Sequence, residues 1–200
     1  SARRKAGARM KDTLAGATPQ VVERRYDAVL LDMGYTLVLF EPKQSEILQQ
    51  ALRAIGVERS VDEIDAADYA AYADETRDAA TATFPATPEY DHESQRSYER
   101  VLLARLGVAP APVTLDAYAD AVRSHFSRPG VVRTYPEVLD VLAALRERGY
   151  RLAIVSNWSW NLRQRVAQME LDRFFEVVWA SAYAGCNKPN PAIFHQALAQ

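Results

Sequence analysis

Residues 26–37, "YDAVLLDMGYTL", decide how the rest of the chain reads. Ala28, Val29, Leu30 and Leu31 form a short, branched, uninterrupted apolar run, the pattern of a strand covered on both faces in a parallel sheet. Such a strand is expected over 27–32. It ends on a carboxylate, Asp32, and Gly34 then allows the backbone to turn sharply and approach a ligand closely. In an open parallel sheet ligands gather beyond the carboxyl ends of the strands, so an aspartate at that edge is a candidate for chemistry.

Working outward, the text after Pro42 becomes helical. Ile47, Leu48, Leu52 and Ile55 recur at three- and four-residue spacing, and Gly56 stands where a helix C-cap belongs. The pattern continues to about residue 128 and predicts an all-helical module of about four helices. At "TYPEVLDVLAALRERGYRLAIVSN", residues 134–157, strand and helix signals alternate again. Pro136 suits a helix N1 position, Val138, Leu139, Leu142 and Leu145 share a face, and Gly149 ends the helix. "RLAIVS" predicts a second strand, "NLRQRVAQMEL" a helix, "FFEVVWAS" a third strand and "NPAIFHQALAQ" a final helix. Alternating strands and helices imply right-handed parallel crossovers, hence a doubly wound, Rossmann-like α/β sheet. The expected organisation is an N-terminal arm over 1–25, a core from 26–43 and 129–200, and a helical cap inserted over 44–128.

Composition narrows the partners. The 200 residues are 48% hydrophobic and 25% charged, with a formal charge of -2, so neither nucleic acid nor an anionic membrane surface is favoured and a small diffusible substrate is. Cys186 is the single cysteine, which excludes an intramolecular disulfide framework and fits a reducing, cytoplasmic compartment. The opening "SARRKAGARMK" is basic but lacks the apolar stretch of a secretory signal and reads as a flexible arm.

The strand ends define the candidate site. Asp32 follows the first strand, Ser156 and Asn157 the second, and Lys188 the third. A carboxylate can attack phosphorus to form an acyl phosphate, while an ammonium and a bound Mg²⁺ offset the charge on the phosphoryl oxygens. "LLDMGYTL", "IVSN" and "NKPNPAIF" resemble, in order, the first three motifs of the haloacid dehalogenase-like hydrolase superfamily, in the subfamily whose helical cap lies between motifs one and two. The resemblance implies that Asp32 is the nucleophile and a Mg²⁺ ligand, and that Gly34 is a second ligand through its carbonyl. It implies further that Ser156 and Asn157 bind the substrate's phosphoryl oxygens, that Thr36 supports the loop around the nucleophile, and that Lys188 holds nucleophile and transferred group. Residues 35–40 would form the flap leading to the cap.

Two positions depart from that pattern. Phosphatases of the superfamily usually carry a second aspartate, an acid–base group, where this chain has Gly34. Its loss matters most for an alkyl ester and least for an acyl phosphate or anhydride; cap residues such as Asp91, His92 and Glu93 are the candidate replacements. The acidic pair of the fourth motif does not occur before Gln200, which interrupts an amphipathic helix, so a longer parent sequence is expected. A Mg²⁺-dependent phosphatase acting on a small phosphorylated metabolite is the leading reading. A catalytically weak binding or assembly protein and a 2-haloacid dehalogenase are the alternatives, whereas a phosphonatase would need a cap lysine, and residues 44–187 contain none. Cys186 and His195 read as structural, and Trp158, Trp160 and Trp179 as packing residues, Trp158 being the one beside the site.

Overall fold

The computed structural model describes residues 25–109 and 111–200, so the expected N-terminal arm lies outside the described residues except for Arg25. The chain enters through β1 (Ala28–Leu31), turns at Met33 to Thr36, and forms β2 (Val38–Phe40). Four helices follow: α1 (Gln44–Ala54), α2 (Val61–Glu75), α3 (Pro88–Arg105) and α4 (Pro112–Phe126). β3 (Val132–Thr134) then leads to α5 (Val138–Glu147), β4 (Arg151–Ser156), α6 (Leu162–Gln168), a short 3-10 turn, β5 (Val177–Ala180), α7 (Ser181–Ala184) and α8 (Pro191–Leu198).

β1, β4 and β5 make a parallel sheet in the order β1-β4-β5, with Leu31 level with Ile154 and Ser156 level with Ala180. Successive side chains point to opposite faces of a strand, and the cores follow that alternation. Leu152 and Ile154 pack with Leu142 of α5 and Leu162 and Val166 of α6, whereas Val155 packs with Ile193 and Ala197 of α8. β4 is accordingly buried from Leu152 to Ser156. β1 sits at the sheet edge and its four residues are only half-buried, a correction to the expectation of a fully covered strand.

The helices between β2 and β3 have an apolar cluster of their own. Leu48 and Leu52 of α1 meet Ile64 of α2, Leu102 and Leu103 of α3, and Leu115 and Tyr118 of α4. Local chemistry sets their ends. Ser60 and Glu63 exchange capping-box hydrogen bonds at the start of α2, and Thr87 Oγ1 accepts from the Tyr90 N–H with Pro88 in the first helical turn of α3. β2 and β3 pair antiparallel, so the chain leaves for the helices and returns from them through one two-stranded ribbon.

Several boundaries differ from those read in the sequence. Asp32 lies just beyond β1, not inside it. Pro136 precedes α5 by two residues, because the Val138 N–H donates to the Tyr135 carbonyl and closes a turn first. Leu139 is solvent-facing rather than part of the buried face of α5. The stretch expected as one strand over 174–181 begins in a 3-10 turn and ends in α7, so β5 keeps only its centre. Residues 76–87, which to Phe84 read as a continuation of α2, instead cross from the helices to the loop after α7. There the Phe84 N–H donates to the Gly185 carbonyl (2.8 Å), and Asn190 Nδ2 donates to the Ala82 carbonyl (3.3 Å).

Candidate active site

The three strand ends converge. Lys188 Nζ lies 2.8 Å from Asp32 Oδ1, with both side chains partly shielded from solvent. Lys188 reaches this position because Asn157, the residue after β4, grips its backbone. Asn157 Oδ1 accepts from the Lys188 N–H at 2.6 Å and Asn157 Nδ2 donates to the Lys188 carbonyl at 3.2 Å. The side-chain amide of Asn157 is therefore committed to holding the lysine loop. Ser156 is buried at the last position of β4, beside that clamp.

The turn after Asp32 is tightly constrained. The N–H groups of Thr36, Leu37 and Val38 all donate to the Met33 carbonyl, and the Tyr35 N–H donates to the Val38 carbonyl (2.7 Å). Tyr35 takes the left-handed conformation (φ 55°), an arrangement that costs a non-glycine residue on the order of 1 kcal/mol. Thr36 is exposed and contributes to the turn through its backbone. At Gly34 an added Cβ would meet the Trp158 indole at 3.5 Å, an ordinary contact, so space exists for a small side chain.

A cavity of about 780 Å³ lies between the helical layer and the β4 loop. Asn157, Trp158, Ser159 and Asn187 line its sheet side; Asp32 and Lys188 themselves stand just outside its lining, behind Asn157 and Asn187. Phe40 stacks on Trp158 (centroids 6.5 Å apart) and meets Phe126 edge-on (5.5 Å), forming an aromatic wall. Of the three candidate replacement acids, Asp91 reaches across the cavity: its Oδ2 accepts from the Trp160 N–H at 2.9 Å. Burial raises its carboxyl above the usual aspartate value, against the opposing pull of that hydrogen bond and of His92. His92 is an exposed lining residue, and Glu93 faces Arg100 (2.9 Å) away from the lining.

Sequence reasoning missed several residues that shape this region. Ser181 Oγ accepts from the Trp158 N–H (3.2 Å) and bonds the Trp158 carbonyl (3.3 Å), fixing the loop after Asn157. Asn190 both caps α8, accepting from the Ala192 N–H, and holds the 76–87 crossing. Gly185 (φ 68°) permits the close approach of Phe84, whose carbonyl would lie 2.6 Å from a Cβ there. Only the glycine carried a sequence signal, as a left-handed helix cap. Cys186 is buried among Val155, Ile193 and Ala197, its thiol pushed up by desolvation, and His195 is exposed on α8.

Among the described residues no group of three or more His, Cys, Asp or Glu side chains gathers as a metal cage. The donors that the resemblance assigns are the Asp32 carboxylate and the Gly34 carbonyl. That set suits Mg²⁺, which is commonly held by one or two carboxylates and completed by water and substrate phosphate.

A parallel sheet that brings a carboxylate and a lysine together beyond its strand ends, beside a helical layer, is an α/β fold with its candidate site where such sheets bind ligands. Residues 26–200 match the haloacid dehalogenase-like hydrolases, and the chain belongs to that family. A glyceraldehyde 3-phosphate phosphatase of Methanopyrus kandleri is 32% identical over 110 residues, covering 54% of this chain and 46% of the relative. A haloacid dehalogenase-like hydrolase domain-containing protein 3 of Mus musculus is 33% identical over 94 residues, covering 47% of this chain and 38% of the relative. The matched segment thus spans less than half the length of these curated relatives. Among solved structures, a Bacillus subtilis hydrolase of the superfamily bound to magnesium superposes with a TM-score of 0.64 at 16% identity, over 88% of this chain and 74% of that one. That likeness establishes the shared fold.

Proposed function

We propose that the chain carries a Mg²⁺-dependent phosphatase site for a small phosphorylated metabolite, with Asp32 as nucleophile. The observation that carries this reading is the Asp32–Lys188 pair, held at the sheet edge by the Asn157 clamp. The resident ammonium orients the carboxylate through a charge-assisted hydrogen bond, and it offers positive charge where a phosphoryl group would arrive. Attack by an Asp32 oxygen on phosphorus would break the bond to the leaving oxygen and give an aspartyl phosphate. Water would then displace Asp32 and release inorganic phosphate. Ser156 and the N–H groups of the β4 loop are suited to hold the phosphoryl oxygens. Mg²⁺, held by Asp32 and the Gly34 carbonyl, would neutralise phosphoryl charge during both steps. The helical layer over 44–128 would act as the cap that excludes water and selects the leaving group, and the single buried thiol suits a cytoplasmic setting.

The relatives named as phosphatases support this chemistry over attack on a carbon–halogen bond. Gly34 favours a second reading, a catalytically weak binding protein, because no side chain there can move a proton. The deciding experiment measures phosphate release from alkyl phosphates, acyl phosphates and 2-haloacids with and without Mg²⁺, with Asp32→Asn alongside. Mg²⁺-dependent release that vanishes in the variant is expected; metal-independent halide release, or no turnover of any substrate, would sink the proposal.

A further inference from the structure

The wall of the cavity opposite Asn157 has a chemistry of its own. Asp68, Glu75, Asp91 and Glu99 all line it, from α2 and α3, and no lysine does. Three of these acids are already oriented. Asp68 accepts from Tyr98 Oη and from Gln44 Nε2 (3.3 Å), Glu75 from Ser94 Oγ (3.4 Å), and Asp91 from the Trp160 N–H. Glu99 differs: it is 4% exposed, and its Oε2 has no hydrogen-bond partner. A buried carboxylate oxygen left unpaired is costly and calls for a donor.

Three basic side chains line the cavity, the exposed His92 and two arginines, and both arginines are engaged elsewhere. Arg123 is paired with Asp120, Arg96 beside Glu99 with Asp116, and Arg165 turns to the Phe126 carbonyl and Gln168. Aromatic faces complete the lining. Phe84 and Tyr90 stack with centroids 5.2 Å apart, Tyr72 lies within hydrogen-bond reach of Asn157 (3.5 Å), and Trp158 closes the sheet side. Carboxylates combined with several ring faces form the environment that attracts organic cations.

We infer that this cavity is a binding site for an organic ammonium group, and that the substrate is a phosphomonoester whose leaving group carries one. The substrate half of the inference rests on the phosphatase reading above; the cation site does not. An anionic leaving group would meet four carboxylates, whereas an organic ammonium brings positive charge beside the unpaired Glu99 Oε2. Burial holds Asp68, Glu75, Asp91 and Glu99 above their usual values, in Glu99 against the opposing influence of Gln95, Arg96, Arg123 and His92. A bound cation favours their ionised forms, so binding should release protons.

The test is calorimetric titration of the chain with choline, with its uncharged isostere 3,3-dimethyl-1-butanol, and with glycolate, each in two buffers of different ionisation enthalpy. Choline is expected to bind about tenfold or more tightly than the isostere, with proton release, and glycolate to bind most weakly. Glu99→Gln should remove most of the preference and reduce the proton release, and Asp91→Asn, which keeps an acceptor for the Trp160 N–H, should weaken choline binding less. Equal binding of choline and isostere, preference for glycolate, or a Glu99→Gln chain indistinguishable from the parent would overturn the cation site. Phosphocholine and phosphoglycolate hydrolysis, followed in parallel, separates the two ideas. Choline binding without turnover of either ester or of an acyl phosphate leaves the pocket standing and fells the phosphatase reading; turnover without cation preference does the reverse.

Discussion

At the scale of single residues, Gly34 and Asn157 make opposite predictions. Gly34 has an ordinary negative-φ backbone and room for a Cβ against the Trp158 ring, so Gly34→Asp should fold. If proton transfer limits turnover of alkyl esters, this variant should raise kcat for them by on the order of 10²-fold, the lower end of what a positioned acid contributes, with acyl phosphates changed far less. A leaving-group series for both proteins measures it, and a uniform effect across the series would show that proton transfer is not limiting. Asn157→Ala removes both bonds that hold the Lys188 backbone. A loss of roughly 10- to 100-fold in kcat/KM is expected, as two hydrogen bonds of ordinary net strength are forfeited. Asp32 and Lys188 were legible as candidates because each ends a recognisable strand–loop pattern. The clamp was not, because it depends on a crossover bringing Asn157 to a loop 31 positions away.

At the scale of elements, the 76–87 crossing docks on the turn after α7 through Phe84 and Gly185. A side chain at 185 would have to adopt φ 68° and displace a backbone carbonyl, not a yielding side chain. Gly185→Ala should therefore destabilise by on the order of 2 kcal/mol, and lower the melting temperature by roughly 4–8 °C for a chain of this size. A scan that leaves the midpoint unchanged would show that the turn relaxes without cost. The helices α1, α3 and α4 and the strands β1, β4 and β5 could be placed from hydrophobic period, prolines at helix starts and glycines after helix ends. The end of α2 and the short pair β2–β3 could not. Three-residue strands leave too few alternations to detect, and "TRDAATATF" retains alanine-rich helical composition while its backbone bonds to the loop after α7.

At the scale of the whole molecule, the shifted carboxyls fall into two sets. Asp68, Glu75, Asp91 and Glu99 sit in the helical layer with carboxyls raised by burial. The folded chain binds their protons more tightly than the unfolded chain does, so their contribution favours folding at low pH and is lost as pH rises through the folded values. Glu63, Glu93 and Glu176 are lowered, by the Ser60 backbone, by Arg100 and by Arg151 respectively, and act in the opposite sense. Their contribution is present above the ordinary glutamate value and is lost as pH falls through the lowered one. Thermal stability should consequently peak between the two sets, in mildly acidic solution, and decline toward neutrality. Glu99→Gln should flatten the decline on the neutral side; melting curves from pH 4 to 8 for both proteins test this, and a profile that rises to neutrality would contradict it.

The docking of Phe84 on Gly185 and of Ala82 on Asn190 also ties the helical layer mechanically to the proposed reacting pair. Those two contacts bracket Lys188 in sequence, so the helical layer and the lysine are anchored to one short span of chain. Any lid opening that strains these bonds would be felt at the Asp32–Lys188 pair. A substrate that fills the cavity and keeps the lid seated would thereby spend its remote binding energy on the geometry of the reacting groups. Shortening the leaving group should then slow the bound complex as well as loosen it, so that kcat falls along with affinity. A truncated ester turning over at an undiminished kcat would mean that lid and lysine move independently.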